Sequence, residues 1–216
     1  IFYITYIVIL YAATRKEGYI LLGAGALAAG AAAAYKLFYH VRVRVAAWKD
    51  PWSDVANKGY QVTQSLFAIG TGGWFGMGLC EGTPQKIPVS KTDFIFSAIC
   101  EEMGVFFGLC IILVEISCFV MFINISLKIN SRFYKLTALG LSVEYMFQTF
   151  LTIGGVTKFI PSTGVTLPLV SYGGSSVTST MILFAIIQGL YVKNSGRGEI
   201  GETDGKRQRR SRRNEE

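Results

Sequence analysis

The chain has 216 residues, of which 51% are hydrophobic and only 16% charged, with 24 glycines and four cysteines. Soluble domains carry roughly 25% charged residues, disordered chains are poor in apolar ones, and disulfide scaffolds are short and cysteine-dense, so all three classes are excluded. Its 21 basic and 14 acidic residues leave a net charge of +7, which acquires meaning only once placed along the chain.

A hydrocarbon core of about 30 Å needs roughly 20 helical residues to cross it. The sequence predicts an all-α polytopic membrane protein with four complete transmembrane helices plus one truncated. Residues 1–13 are uncharged but too short for a full span, and the chain opens on Ile1-Phe2-Tyr3 already inside an apolar run, so it reads as the cut edge of a longer protein. Residues 19–39 form a span rich in Ala and Gly, with Lys36 placed to snorkel. A large loop, 40–92, follows. Residues 93–128 form a long helix and span carrying Glu115. Its length exceeds the bilayer core, which predicts protruding first turns or a kink near Gly104 and Gly108. Residues 133–158 form a span with Glu144 and Gln148 four apart on one face. A second loop, 159–174, leads to the uncharged span 175–193 and a basic tail, 194–216, expected to be disordered.

Arg15 and Lys16, then Lys128, Arg132 and Lys135, then Lys193 and the tail fall on one side if each span crosses once. Positive charge stays in the cytoplasm, so both loops face outward. The tail invites a nucleic-acid reading, since six of the eight residues from Lys206 to Arg213 are basic. Interspersed Glu199, Glu202, Asp204, Glu215 and Glu216 favour a solvated tail touching anionic membrane lipids instead, and no nucleic-acid partner is expected.

The large loop has three parts. Residues 41–57 mix charge with Trp48 and Trp52, and Pro51 breaks any helix there. Indole rings favour the membrane interface. Gly59 to Ile69 reads as an amphipathic helix ended by Gly70. Residues 70–78, GTGGWFGMG, lack the Lys and Ser/Thr of a phosphate loop, so on spacing alone they let the chain fold tightly on the membrane.

Ser90 and Asp93 have the spacing of a capping box, which reads Asp93 as a helix cap. The alternative is a carboxylate general base beside Lys86 and Lys91, whose charges would favour its ionised form and hold an anionic substrate. Glu101 and Glu102 follow on the same helix, about 80° and 180° around from Asp93. Burying them is costly, so one is expected to bond to a neighbour or line a wet cavity. Glu115, Glu144 and Gln148 read first as interhelical hydrogen-bonding groups. Lys158 ends its helix before the irregular stretch 161–176. The single histidine, His40, excludes a Ser-His-Asp or Cys-His arrangement. Cys80, Cys100, Cys110 and Cys118 lack zinc-site spacing and read as reduced apolar fillers.

Three stretches in order resemble the SEDS family of cell-wall polymerases (FtsW, RodA and SpoVE): residues 59–79, GYQVTQSLFAIGTGGWFGMGL; residues 92–104, TDFIFSAICEEMG; and residues 161–176, PSTGVTLPLVSYGGSS. The likeness covers about residues 40 to 193. It implies an enzyme of about ten transmembrane helices, of which the first four or five are expected to lie outside this chain. That enzyme polymerises lipid II into glycan strands at the outer face of the bacterial cytoplasmic (inner) membrane. The family's catalytic aspartate matches Asp93, which would deprotonate the acceptor hydroxyl so that undecaprenyl pyrophosphate is displaced. Lys91, Lys86, Lys158, Ser171, Gly173, Gly174 and Ser175 are the expected substrate contacts, and Glu101, Glu102, Glu144 and Gln148 the polar groups within the membrane. A divalent cation, magnesium, would offset the pyrophosphate charge with no recognisable protein motif to bind it. The implied partners are lipid II, the growing glycan strand, a class B penicillin-binding protein and other cell-wall machinery. Cys80 and Glu81 where the family continues with glycine, Met103 for leucine, and Thr152 for a common asparagine are mild departures. A lipid II flippase, using Glu115, Glu144 and Gln148 along a path, and a non-catalytic division or elongation scaffold remain the alternatives.

Overall fold

The computed structural model describes residues 1–57 and 59–215, with side chains for 1–57, 59–85 and 87–194. Among the described residues there is no strand. Seven α-helices run in the order α1 (Phe2–Thr14), α2 (Gly18–Leu37), α3 (Tyr39–Lys49), α4 (Tyr60–Gly72), α5 (Ile95–Lys128), α6 (Arg132–Val156) and α7 (Gly174–Glu215), with a 3-10 turn at Pro84–Lys86. Four of them, α2, α5, α6 and α7 over Gly174–Asn194, are long and apolar enough to cross a membrane, and α1 is a shorter apolar helix. The basic tail, expected to be disordered from residue 194, instead continues α7 as helix to Glu215, and its side chains beyond Asn194 lie outside the described residues.

The boundaries differ from expectation where local chemistry intervenes. Phe38 takes an extended backbone and separates α2 from α3, so the expected span to residue 39 ends at Leu37. The next helix stops at Lys49 because a residue preceding proline, here Asp50 before Pro51, is driven out of the helical region. The expected stop at Gly70 is passed over, and α4 ends at Gly72, followed by Gly73 at a positive φ of 56°.

At the centre, α5 packs against α4, α6 and α7, while α1 packs on α6 and α2 rests on α1 and α3. One apolar cluster joins α5, α6 and α7. Within it Phe122, Tyr145 and Phe184 meet edge to face, with ring centroids 4.7 to 5.6 Å apart, the geometry favoured by ring quadrupoles. A second cluster, containing Phe94, Phe96, Cys100, Val156 and Leu167, lies under the loops. Beside it the fully buried Ser65 hydroxyl meets that of Ser97 at 2.6 Å and donates to the Val156 carbonyl at 3.0 Å, tying α4, α5 and α6 together. Of the four cysteines, all free, Cys100 is buried whereas Cys80 and Cys110 are exposed, so the reading as apolar fillers fails for those two.

The basic segments assemble at one end. Arg132 donates to the Ala13 carbonyl, Asn194 bridges the Asn130 amide and the Lys128 carbonyl at 3.3 and 3.0 Å, and Lys193 Nζ donates to the Tyr134 hydroxyl at 2.8 Å. The two loops meet at the other end, where Trp48 Nε1 donates to the Lys158 carbonyl at 3.1 Å.

The glycine run explains the kink in α5. Gly104 adopts φ 87°, ψ 162°, a conformation essentially restricted to glycine. That break removes the helical bonds in which the amides of residues 105 and 106 would meet the carbonyls of residues 101 and 102. All four groups pair instead with the glycine loop. Met77 N donates to Glu101 O at 2.9 Å, Gly78 N to Glu102 O at 3.0 Å, Val105 N to Gly73 O at 2.9 Å and Phe106 N to Trp74 O at 3.2 Å. Buried backbone groups must be paired, above all at membrane depth. A Cβ on Gly76 would lie 2.2 Å from the Glu102 carbonyl oxygen, and one on Gly104 2.3 Å from that of Trp74. The glycines therefore let two backbones meet, rather than fold the loop onto lipid.

Candidate functional site

The site forms where the turn before α5, the 157–173 loop and α3 converge. Asp93 is not a helix cap: α5 starts at Ile95, its N-cap position is Phe94, and no side chain caps it. Tertiary bonds hold the turn in place of a capping box. The buried Ser171 hydroxyl donates to the Thr92 carbonyl at 2.7 Å and accepts from the Leu167 amide at 2.8 Å, while Tyr172 N donates to the Lys91 carbonyl at 2.8 Å. The two residues that precede Asp93 are thus clamped through their carbonyls to the 171–172 turn.

Its carboxylate faces the loop opposite. A Cβ built on Gly164 would lie 3.4 Å from Asp93 Oδ2 and 3.6 and 3.8 Å from Arg44 Nη2 and Nη1, so Gly164, at φ +74°, leaves room for both groups to gather over its α-carbon. Arg44 is delivered by α3 and held by donation from Nη1 to the Ser162 carbonyl at 3.2 Å. The loop is in turn sewn onto α6 by Gln148 Nε2 to Thr166 O at 2.9 Å and Thr152 Oγ1 to Val165 O at 3.0 Å. Three non-glycine residues around it, Val89, Lys158 and Leu169, have left-handed backbones with φ near 60°, a conformation that carries strain of order 1–3 kcal/mol and concentrates at functional sites.

Lys91 lines an open cleft of about 970 Å³ together with Ile95, Ser171, Tyr172, Gly173 and Gly174. An adjoining cleft of about 410 Å³ shares Lys91 and adds Gln85, Ser90 and Glu102. The structure therefore brings Lys91, Ser171, Gly173 and Gly174 together in one cleft lining. Asp93, Lys158 and Ser175 are not among the residues lining the larger cleft; Ser175 is exposed at the start of α7. The side chain of Lys86 lies outside the described residues.

The acids divide by depth. Glu101 is 5% exposed; its Oε1 accepts from the Thr83 amide at 3.0 Å and pins the 82–86 segment to α5. Glu115 is buried between α5 and α6 and accepts from Thr149 at 3.3 Å, with the Tyr145 hydroxyl turned to it. Glu144 and Gln148 share a cavity of about 140 Å³ with Ser179 and Thr180 of α7. Gln148 bonds to the loop rather than to a helix, contrary to expectation. Among the described residues no group of three or more His, Cys, Asp or Glu could hold a metal ion, and Asp93 faces a guanidinium instead of a second carboxylate. These residues do not fit a resident divalent cation.

Arg44, Gly164 and Thr83 escaped the sequence reading. Arg44 meets its loop partner across 118 residues, and the alternation Val41-Arg-Val-Arg-Val45 points to no particular contact.

A membrane-spanning helical bundle with a clamped acid, a facing arginine and a lysine-lined cleft at its loop end is the class of protein these features define. A family model described as a cell cycle protein, for FtsW, RodA and SpoVE, matches residues 1–196, and the chain belongs to this family. It is similar to the peptidoglycan glycosyltransferase RodA of Mycobacterium tuberculosis, 41% identical over 185 residues that make up 86% of this chain and 39% of the relative. The RodA of Mycobacterium leprae is 38% identical over the same length, covering 86% and 40%. A probable peptidoglycan glycosyltransferase FtsW of Aliivibrio salmonicida is 38% identical over 155 residues, covering 69% and 38%. The chain thus spans about two-fifths of the length of these relatives.

Proposed function

We propose that this chain carries the acid-bearing part of a peptidoglycan glycan-strand polymerase that uses lipid II, with Asp93 as general base. The observation that carries the reading is the position of Asp93, directly after the Lys91 and Thr92 carbonyls that bind the 171–172 turn, and beside Arg44 at Gly164. In the reaction the Asp93 carboxylate accepts the proton of an acceptor sugar hydroxyl. The hydroxyl oxygen forms a bond to the anomeric carbon of the donor strand, and the bond from that carbon to the pyrophosphate oxygen breaks. Undecaprenyl pyrophosphate leaves with the electron pair. Arg44, beside Gly164, and Lys91, in the cleft lining, supply positive charge where negative charge develops. A divalent cation, magnesium, would offset the charge of the pyrophosphate, with no cluster among the described residues to hold it.

The relatives' names support the chemistry: each is called a glycosyltransferase acting on peptidoglycan. The basic end of the bundle supports an orientation with the site outward. Against a transporter stands the position of Glu115, which is buried and bonded within the helix pair. A class B penicillin-binding protein is the proposed partner, supplying the crosslinking that a polymerase lacks.

The reading is tested with the intact protein and its partner in detergent, given lipid II. A polymerase forms glycan strands without any bilayer. A transporter or scaffold yields no product there, and that result would exclude the proposed activity.

A further inference from the structure

The end of the bundle remote from Asp93 holds a site that the polymerase chemistry does not use. The ends of α1 and α5 and the start of α6 enclose an open pocket of about 590 Å³, with Arg15, Arg132 and Lys135 among its lining residues beside Leu127, Ile129 and Leu136. We propose that this pocket binds the phosphate of an anionic phospholipid, its acyl chain lying on the apolar wall.

The cations are positioned by the fold. Arg132 uses one N–H on the Ala13 carbonyl at the end of α1, and Lys135 Nζ uses one on the Leu127 carbonyl at the end of α5, at 3.2 Å. A guanidinium has five N–H donors and an ammonium three, so each keeps donors for a ligand. Arg15 closes α1 in a left-handed conformation, φ 55°, its amide bonded to Tyr11 O at 2.7 Å. The nearest acid in sequence, Glu17, is exposed and not part of the lining. Arg132 and Lys135, anchored through their side chains, pay little ordering entropy on binding. Depth fits a headgroup: from the break at Gly104 to the end of α5 at Lys128 is about 36 Å at 1.5 Å per residue, more than a hydrocarbon core. Three cations beside leucine and isoleucine match a phosphate attached to a chain better than a free anion.

The test uses the intact protein in neutral detergent, with thermal midpoint followed against added phosphatidylglycerol, phosphatidylcholine or inorganic phosphate. Phosphatidylglycerol should raise the midpoint saturably, and the other two should not. Arg15→Asn, which keeps a left-handed backbone accessible, should weaken the phosphatidylglycerol effect by about tenfold, as loss of one charge-assisted contact predicts. Arg15→Asn combined with Lys135→Gln should abolish it, while Lys16→Gln leaves it unchanged. If the double variant fails to fold, Arg15→Asn alone decides. Equal stabilisation by phosphatidylcholine, an unaltered response in Arg15→Asn, or an equal response to inorganic phosphate would overturn the lipid site.

Discussion

Ser171→Ala isolates the clamp on Asp93 with the removal of one oxygen atom. The wild-type hydroxyl serves two buried backbone groups, accepting from the Leu167 amide at 2.8 Å and donating to the Thr92 carbonyl at 2.7 Å. Leu167 is fully buried, so its orphaned amide costs about 1–3 kcal/mol, and the lost bond to Thr92 a further 0.5–1.5 kcal/mol. The Tyr172-to-Lys91 backbone bond survives, so the turn loosens without detaching. The expected loss is about 2–4 kcal/mol of stability. If the Thr92 share is spent on placing Asp93, turnover falls by about three- to tenfold. Thermal unfolding of the intact protein and initial rates of strand synthesis from lipid II measure both. Ser175→Ala, at an exposed position of the same signature, should change neither. If Ser171→Ala left stability and rate at wild-type values, the clamp would have no mechanical role and the account of the turn would fall.

Two further outcomes follow from the same geometry. Arg44→Gln should lower the rate of strand synthesis by about 100- to 1000-fold, the scale of removing one preorganised donor from a developing anion, with the protein still folded. Arg44→Lys should recover only part, because an ammonium cannot reproduce the guanidinium fork; an unchanged rate in Arg44→Gln would remove the arginine from the site. Gly104→Ala should destabilise by about 3–6 kcal/mol, combining backbone strain with the loss of the bonds to the glycine loop. Limited proteolysis should then cut within residues 73–79, and a resistant loop would contradict the pairing of loop and helix.

The spans were readable because a bilayer imposes length and composition on a local stretch of chain. The break at Gly104 was half readable: helix length called for a kink, but its cause lay in residues 73–78. Backbone-to-backbone pairing leaves no side-chain signature beyond the glycines that permit it, so the loop read as one folded on the membrane. Asp93 shows the opposite failure. Its spacing from Ser90 matches a local cap, and local rules favoured that reading. The turn is held instead by Ser171 and Tyr172, nearly 80 residues further along the chain. Ser171, Gly173 and Gly174 were found through the SYGGSS signature, yet the hydroxyl of Ser171 proves to be a brace for Thr92 and Leu167. Arg44 was missed because a cation in an amphipathic loop helix looks the same whether it faces water or an aspartate.

The central claim is that Asp93 removes the acceptor proton. Asp93→Asn keeps size and polarity but cannot accept that proton near neutral pH. In the intact protein with the proposed penicillin-binding partner and lipid II, the account predicts no glycan strands from this variant, at a thermal midpoint close to wild type. Strand synthesis at the wild-type rate by Asp93→Asn would contradict it.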